Sequence, residues 1–168
     1  DDGAQLQPLL ERAGVVAVGP GLGRDDWAQE LWRLALASGR PLVVDADALN
    51  LLAAAPRPLP GTVLTPHPGE AARMLGIETA VLQTDRPAAA RALAQRFGLV
   101  VVLKGAGSLV AAPDGRLALC DRGHPAMAGA GLGDVLAGLI GALLAQGRAA
   151  YDAACLAVWL HARAGEVL

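Results

Sequence analysis

The segment HPAMAGAGLGDVLAGLIGALLAQG, residues 124–147, places a single carboxylate, Asp134, where a run of small residues turns into an apolar helical pattern. Glycine lets a backbone take positive φ and approach a ligand with no Cβ in between. The first turn of the following helix offers unpaired N–H groups and roughly half a positive charge, which suits a phosphate. Asp134 then stands as the N-cap or as a first-turn residue. A plain N-cap is worth about 1 kcal/mol and needs only the carboxylate. Three glycines and three alanines in the preceding eight residues favour phosphate binding with a catalytic Asp over capping alone.

A second loop of this type is KGAGS, residues 104–108. The chain has thirteen Arg and one Lys, and that Lys is Lys104. The amides of Gly105, Ala106 and Gly107, with the Lys104 ammonium and the Ser108 hydroxyl, could hold the phosphates of a nucleotide. The order of residues excludes a Walker A loop, because Lys precedes the glycines and no helix follows. A tight strand-to-strand turn is the plainer alternative. GPGLG (19–23) has the same ambiguity, since a strand-to-helix turn often needs glycine. His67, between two prolines in TPHPGE, has a stiff backbone; ligand contact and a structural role stand side by side. Asp45 and Asp47 could hold Mg²⁺ near phosphates, but capping the next helix is the better reading. The three Trp residues are expected in the core, and Cys120 and Cys155, without metal-ligand spacing, as buried small hydrophobes.

Alternating elements must bring these residues together. Residues 15–18, 41–45, 62–65 and 99–104 read as buried strands, and RPAAARALAQRF (86–97) reads as a helix with Pro near its first turn and Gly98 after its last. Further helices are expected from Asp26 to about Ser38, with Trp27, Leu31, Leu34 and Ala35 on one face, over ADALNLLAA and EAARML, and at 134–146 and 149–164. SLVAA and RLALC flank PDG as a β-hairpin near residues 108–119. Strands alternating with helices imply right-handed βαβ units, hence an α/β fold with a mostly parallel sheet and helices on both faces. Ligands bind beyond the carboxyl ends of such strands. GPGLG, Asp45 and Asp47, His67 and KGAGS each follow a strand, so all should meet at one sheet edge, with Asp134 beside them.

The bulk numbers narrow the function. At 168 residues, 54% hydrophobic and 18% charged, the chain is sized for one domain with a real core. A net charge of −2 spread along the chain gives nucleic acid no footprint. No run reaches the roughly 20 apolar residues that span a bilayer, and DDGAQLQPLL lacks the features of a signal peptide. These point to a cytoplasmic location. Abundant Ala and Leu leave a homo-oligomer open.

Taken in order, GPGLGRDD, VVDADALN, TPHPGEAARML, KGAGS and PAMAGAGLGDVLAGLIGALLAQG resemble the ADP-dependent NAD(P)H-hydrate dehydratases, carbohydrate-kinase-like repair enzymes, over nearly the whole chain. The resemblance implies a single ribokinase-like domain over residues 1–168. The family domain usually begins ahead of GPGLG and extends past the last helix, so a fragment truncated at both ends is expected. Ala126, Gly129 and Ala130 replace parts of the family's small-residue pattern with other small residues. The resemblance further implies that Asp134 is the catalytic acid-base. Gly133 and residues 104–108 (Lys104, Gly105, Ala106, Gly107, Ser108) would bind the nucleotide. Gly21, His67 and Asp134 would contact hydrated NADH or NADPH. ADP or ATP would be the phosphoryl donor, with Mg²⁺ on the phosphates and no metal ligands fixed by the sequence. A small-molecule kinase of the same superfamily, stopping at the phosphoester, is the alternative enzyme. A nucleotide-binding module without turnover is the alternative outside catalysis.

Overall fold

Short Val- and Leu-rich runs make the sheet in the computed structural model, which describes residues 2–167. β1 (Val16–Val18), β2 (Leu42–Val44), β3 (Val63–Leu64) and β4 (Val100–Leu103) run parallel in chain order. β5 (Ser108–Ala111) and β6 (Leu117–Cys120) continue the sheet antiparallel, giving the order β1-β2-β3-β4-β5-β6. The expected hairpin is therefore present. Strictly consecutive parallel strands put every right-handed crossover on the same face. That face carries α2 (Asp26–Ala37), α3 (Ala46–Ala54), α4 (Pro68–Leu75), α5 (Thr79–Thr84) and α6 (Arg86–Phe97). α7 (Leu132–Ala145) and α8 (Ala150–Gly165) cover the other.

The strand period of two divides the core between these layers. Leu42, Val44 and Leu64 face the first set of helices, while Val43 and Val63 face α7 and α8. With only 3% aromatic residues, the chain fills both layers with aliphatic side chains. Ala48, Ala71, Ala90, Ala153, Ala154 and Ala157 are fully buried, so helices sit close to their neighbours. α6 spans residues 86–97 as expected. Asp85 accepts from the Ala88 N–H at one end, and Gly98 takes the left-handed conformation at the other (φ 66°).

Some details depart from expectation. α2 buries Ala28, Trp32 and Ala35; of the expected Trp27-Leu31-Leu34-Ala35 face, Ala35 is buried, Leu31 and Leu34 are half-buried and Trp27 is exposed. Trp27 and Trp159 are each 49% exposed, and Trp32 alone of the three is buried. Successive residues on a helix are turned by about 100°, so the face that docks Ala28, Trp32 and Ala35 leaves Trp27 toward solvent. Both cysteines are half-buried rather than buried. α1 (Asp2–Arg12), α5 and a 3₁₀ turn at Pro125–Ala128 were not anticipated. Among the described residues no helix is long and apolar enough to cross a membrane.

Candidate active site

The turn after β1 is built against the end of β2. Gly19 has φ 131°, and a Cβ there would lie 1.7 Å from the Asp45 carbonyl oxygen, so only glycine lets these strand ends approach. Gly21 takes φ 65° with open space around it. The Gly23 N–H donates to Asp47 Oδ2 at 3.0 Å, and Arg24 Nε lies 3.6 Å from Asp47 Oδ1. Asp47 thus fastens the glycine turn to α3.

Asp45 does what a strand-end acid was expected to do and something more. It caps α3, accepting from the Ala46 N–H at 2.9 Å, and the same Oδ1 accepts from Lys104 Nζ at 2.8 Å. Asp45 is 2% exposed, and this ion pair joins the ends of β2 and β4. Lys104 therefore reaches the site already paired. The start of α7 rests on that pair. A Cβ at Gly133 would stand 3.4 Å from Lys104 Nζ and 3.8 Å from Asp45 Oδ2. An alanine Cβ would therefore sit in ordinary van der Waals contact with the pair.

Asp134 is not a cap. α7 starts at Leu132, its N-cap is Gly131 (φ 84°), and no side chain caps it. The first N–H groups of α7 are left for a ligand. Asp134 sits in the first turn, exposed, and makes no hydrogen bond or ion pair among the described residues. A carboxylate beside unspent donors has the makings of a general base next to an anion site.

A cleft of about 640 Å³ opens between residues 104–108, the start of α7 and α8. Its lining includes Lys104, Gly105, Ala106, Gly107, Ser108 and Gly133, which brings the whole expected nucleotide set together. Ser108 Oγ donates to the Gly105 carbonyl at 3.1 Å, so its proton is spent within the loop. Gly21, His67 and Asp134 do not line this cleft. His67 heads α4. Its Nδ1 accepts from the Gly69 N–H at 3.0 Å, while Glu70 Oε2 accepts from the His67 N–H at 2.7 Å. That is a capping box, with the ring half exposed. His67 nevertheless lies near the site, because the carbonyl of the adjoining Pro66 accepts from the Lys104 N–H at 2.9 Å.

Two residues of the site carried no legible signal in sequence. Arg86, at the start of α6, reaches the carbonyls of Lys104 and Ala106 from behind the loop. His161, on α8, lines the cleft with its Nε2 buried and unpartnered. Burial pushes the His161 imidazole below its ordinary value of 6.5, outweighing the opposing effect of the nearby Leu132 backbone. Below that value the unfolded chain binds a proton that the folded one resists. The His161 contribution is therefore complete above pH 6.5 and is lost as pH falls toward the depressed folded value. His161→Gln is expected to flatten the fall in urea midpoint between about pH 7 and pH 5. Parallel wild-type and variant profiles would rule His161 out as its source.

Residues 1–168 match the NAD(P)H-hydrate dehydratase family model. The bifunctional NAD(P)H-hydrate repair enzyme Nnr of Escherichia coli K12 is 49% identical over 163 residues, covering 97% of this chain and 32% of that protein. The ADP-dependent (S)-NAD(P)H-hydrate dehydratase of Neisseria meningitidis serogroup B is 44% identical over 162 residues, covering 93% of this chain and 55% of that protein. The chain thus spans about a third of the bifunctional relatives and about half of the single-activity one. A Bacillus subtilis ADP/ATP-dependent NAD(P)H-hydrate dehydratase, co-crystallised with ATP and Mg²⁺, superposes with TM-score 0.81 at 34% identity, covering 95% of this chain and 59% of that one. Phosphofructokinase-2 of Escherichia coli, at 20% identity and TM-score 0.66, shares the fold alone. The fold is ribokinase-like.

Proposed function

Because the chain belongs to the NAD(P)H-hydrate dehydratase family, we propose that it acts in the nucleotide-dependent dehydration of hydrated NADH and NADPH. Water is a poor leaving group from the nicotinamide C6. In the proposed reaction the C6 hydroxyl oxygen attacks the terminal phosphorus of ADP, or of ATP, and Asp134 takes the hydroxyl proton. AMP, or ADP, departs from the phosphorus. The ring nitrogen's electron pair then expels phosphate from C6, and loss of the adjacent C5 proton restores the dihydropyridine.

The observation that carries this reading is the position of Asp134. It stands unpaired on a helix turn whose N–H groups are free, beside the glycine that rests on the Lys104–Asp45 pair. Phosphoryl transfer depends chiefly on such positioning and on charge stabilisation by preorganised donors. The cleft lined by residues 104–108 and Gly133 takes the nucleotide. Gly21 and His67, at the neighbouring strand ends, are the contacts for the hydrated nicotinamide nucleotide. Among the described residues no three His, Cys, Asp or Glu side chains form a metal site, and Asp45 and Asp47 are engaged elsewhere. Mg²⁺ would be carried by the phosphates and water, as such ions are in many nucleotide sites.

Chemically hydrated NADH lacks the near-ultraviolet band of the dihydropyridine, so repair is read as the return of that band. The band is expected to return only with ADP or ATP and Mg²⁺, releasing a phosphate for each cofactor restored. Phosphorylation of a small alcohol with hydrated NADH left untouched would make the protein a kinase. Nucleotide binding with neither reaction would leave a binding module.

A further inference from the structure

Arg86 occupies a position that is costly for a cation. It is the first residue of α6, where the helix already presents positive charge. Burial pushes its guanidinium below the ordinary arginine range, and its Nε is buried without a partner. The compensation comes from the loop after β4. Arg86 Nη2 donates to the Lys104 carbonyl at 3.2 Å and reaches the Leu103 carbonyl at 3.5 Å, while Nη1 donates to the Ala106 carbonyl. One planar fork grips several carbonyls of a segment 17 to 20 residues away.

That grip decides where the loop's amides point. Across a trans peptide the carbonyl of one residue and the N–H of the next face in opposite directions. Drawing the Lys104 and Ala106 carbonyls onto Arg86 therefore turns the Gly105 and Gly107 N–H groups away from it. Their φ values of 143° and 70° allow this alternation. Neither N–H finds a partner among the described residues, and both glycines line the cleft. The equivalent amide after Leu103 is already spent, since the Lys104 N–H donates to Pro66.

We infer that Arg86 is a positioning residue for nucleotide binding, holding the Gly105 and Gly107 amides toward the cleft as donors to the phosphate oxygens of a nucleoside diphosphate. The inference rests on the nucleotide reading of residues 104–108. Calorimetric titration with ADP tests it on the purified protein and on Arg86→Met, Arg86→Lys and Asp85→Ala. Asp85→Ala removes the cap of the same helix without touching the loop.

Arg86→Met weakens ADP binding by about tenfold or more. Arg86→Lys recovers little of the loss, because a single ammonium cannot span the carbonyls. Asp85→Ala lowers the unfolding midpoint yet binds ADP like the wild type. Backbone ¹⁵N relaxation without nucleotide shows added motion at Gly105 and Gly107 in the Arg86 variants only. Should Arg86→Met fail to fold, Arg86→Lys carries the same comparison. Wild-type ADP binding matched by the Arg86 variants overturns the inference alone. An equal loss of affinity in Asp85→Ala does so too, since helix stability would then explain the effect. No ADP binding by the wild type overturns the nucleotide reading of the loop, and this inference with it.

Discussion

Asp134→Asn is expected to lower turnover of hydrated NADH by roughly 10²- to 10⁴-fold, while ADP affinity stays within a few-fold of wild type. The amide keeps the shape of the side chain and loses only its capacity to accept the hydroxyl proton. Stability should hardly change, because Asp134 makes no hydrogen bond and Gly131 occupies the cap position. Loss of a favourable charge at a helix N-terminus accounts for about 0.3–1 kcal/mol at most. Restoration of the near-ultraviolet band, ADP titration and denaturant midpoints separate the effects. Turnover close to wild type would remove Asp134 from the chemistry. A collapse in ADP affinity would instead make it a nucleotide contact.

The largest effect on folding is expected at Gly19. Gly19→Ala sets a Cβ 1.7 Å from the Asp45 carbonyl oxygen, and that backbone has little freedom to retreat. The Asp45 N–H donates to the Val18 carbonyl at 3.0 Å, and the Asp45 carboxylate is held by Lys104. Overlap with a fixed carbonyl at an unfavourable φ should cost roughly 3 kcal/mol or more. Gly21→Ala, two residues on, meets open space at φ 65° and should cost only about 1–2 kcal/mol. Urea unfolding of the two variants checks the contrast. Equal midpoints would mean that the close approach of the β1 and β2 ends is relaxed in solution.

The paired variants show what one motif can and cannot reveal. GPGLG announces a glycine turn, yet nothing local distinguishes the glycine against a neighbouring strand from the one in open space. That distinction belongs to the β1–β2 approach. His67 presents the same divide. TPHPGE, with Glu70 three residues after His67, holds a complete capping box, while the proline-flanked turn by itself leaves ligand contact and a structural role side by side.

Elements governed by short-range physics were legible in the chain. β2, β3 and β4 followed from apolar runs buried on both faces, whereas β1, at the sheet edge, leaves Ala17 exposed, and α6 followed from its proline, glycine and caps. The antiparallel hairpin followed from PDG between SLVAA and RLALC. The order of glycine loops after successive strands also placed the site at one sheet edge, because parallel strands share the direction of their carboxyl ends. Assigning partners needed the tertiary structure. Asp45 and Lys104 are 59 residues apart and meet only because β2 and β4 lie in one sheet with β3 between them. Arg86 reads as an ordinary helical residue until α6 packs across the loop it grips. All three Trp residues read as core, yet only docking selects the face of α2 that buries Trp32 and leaves Trp27 49% exposed. Local preferences extend over a few bonds, whereas the partner of a buried charge and the buried face of a helix depend on residues that chain order alone does not bring together.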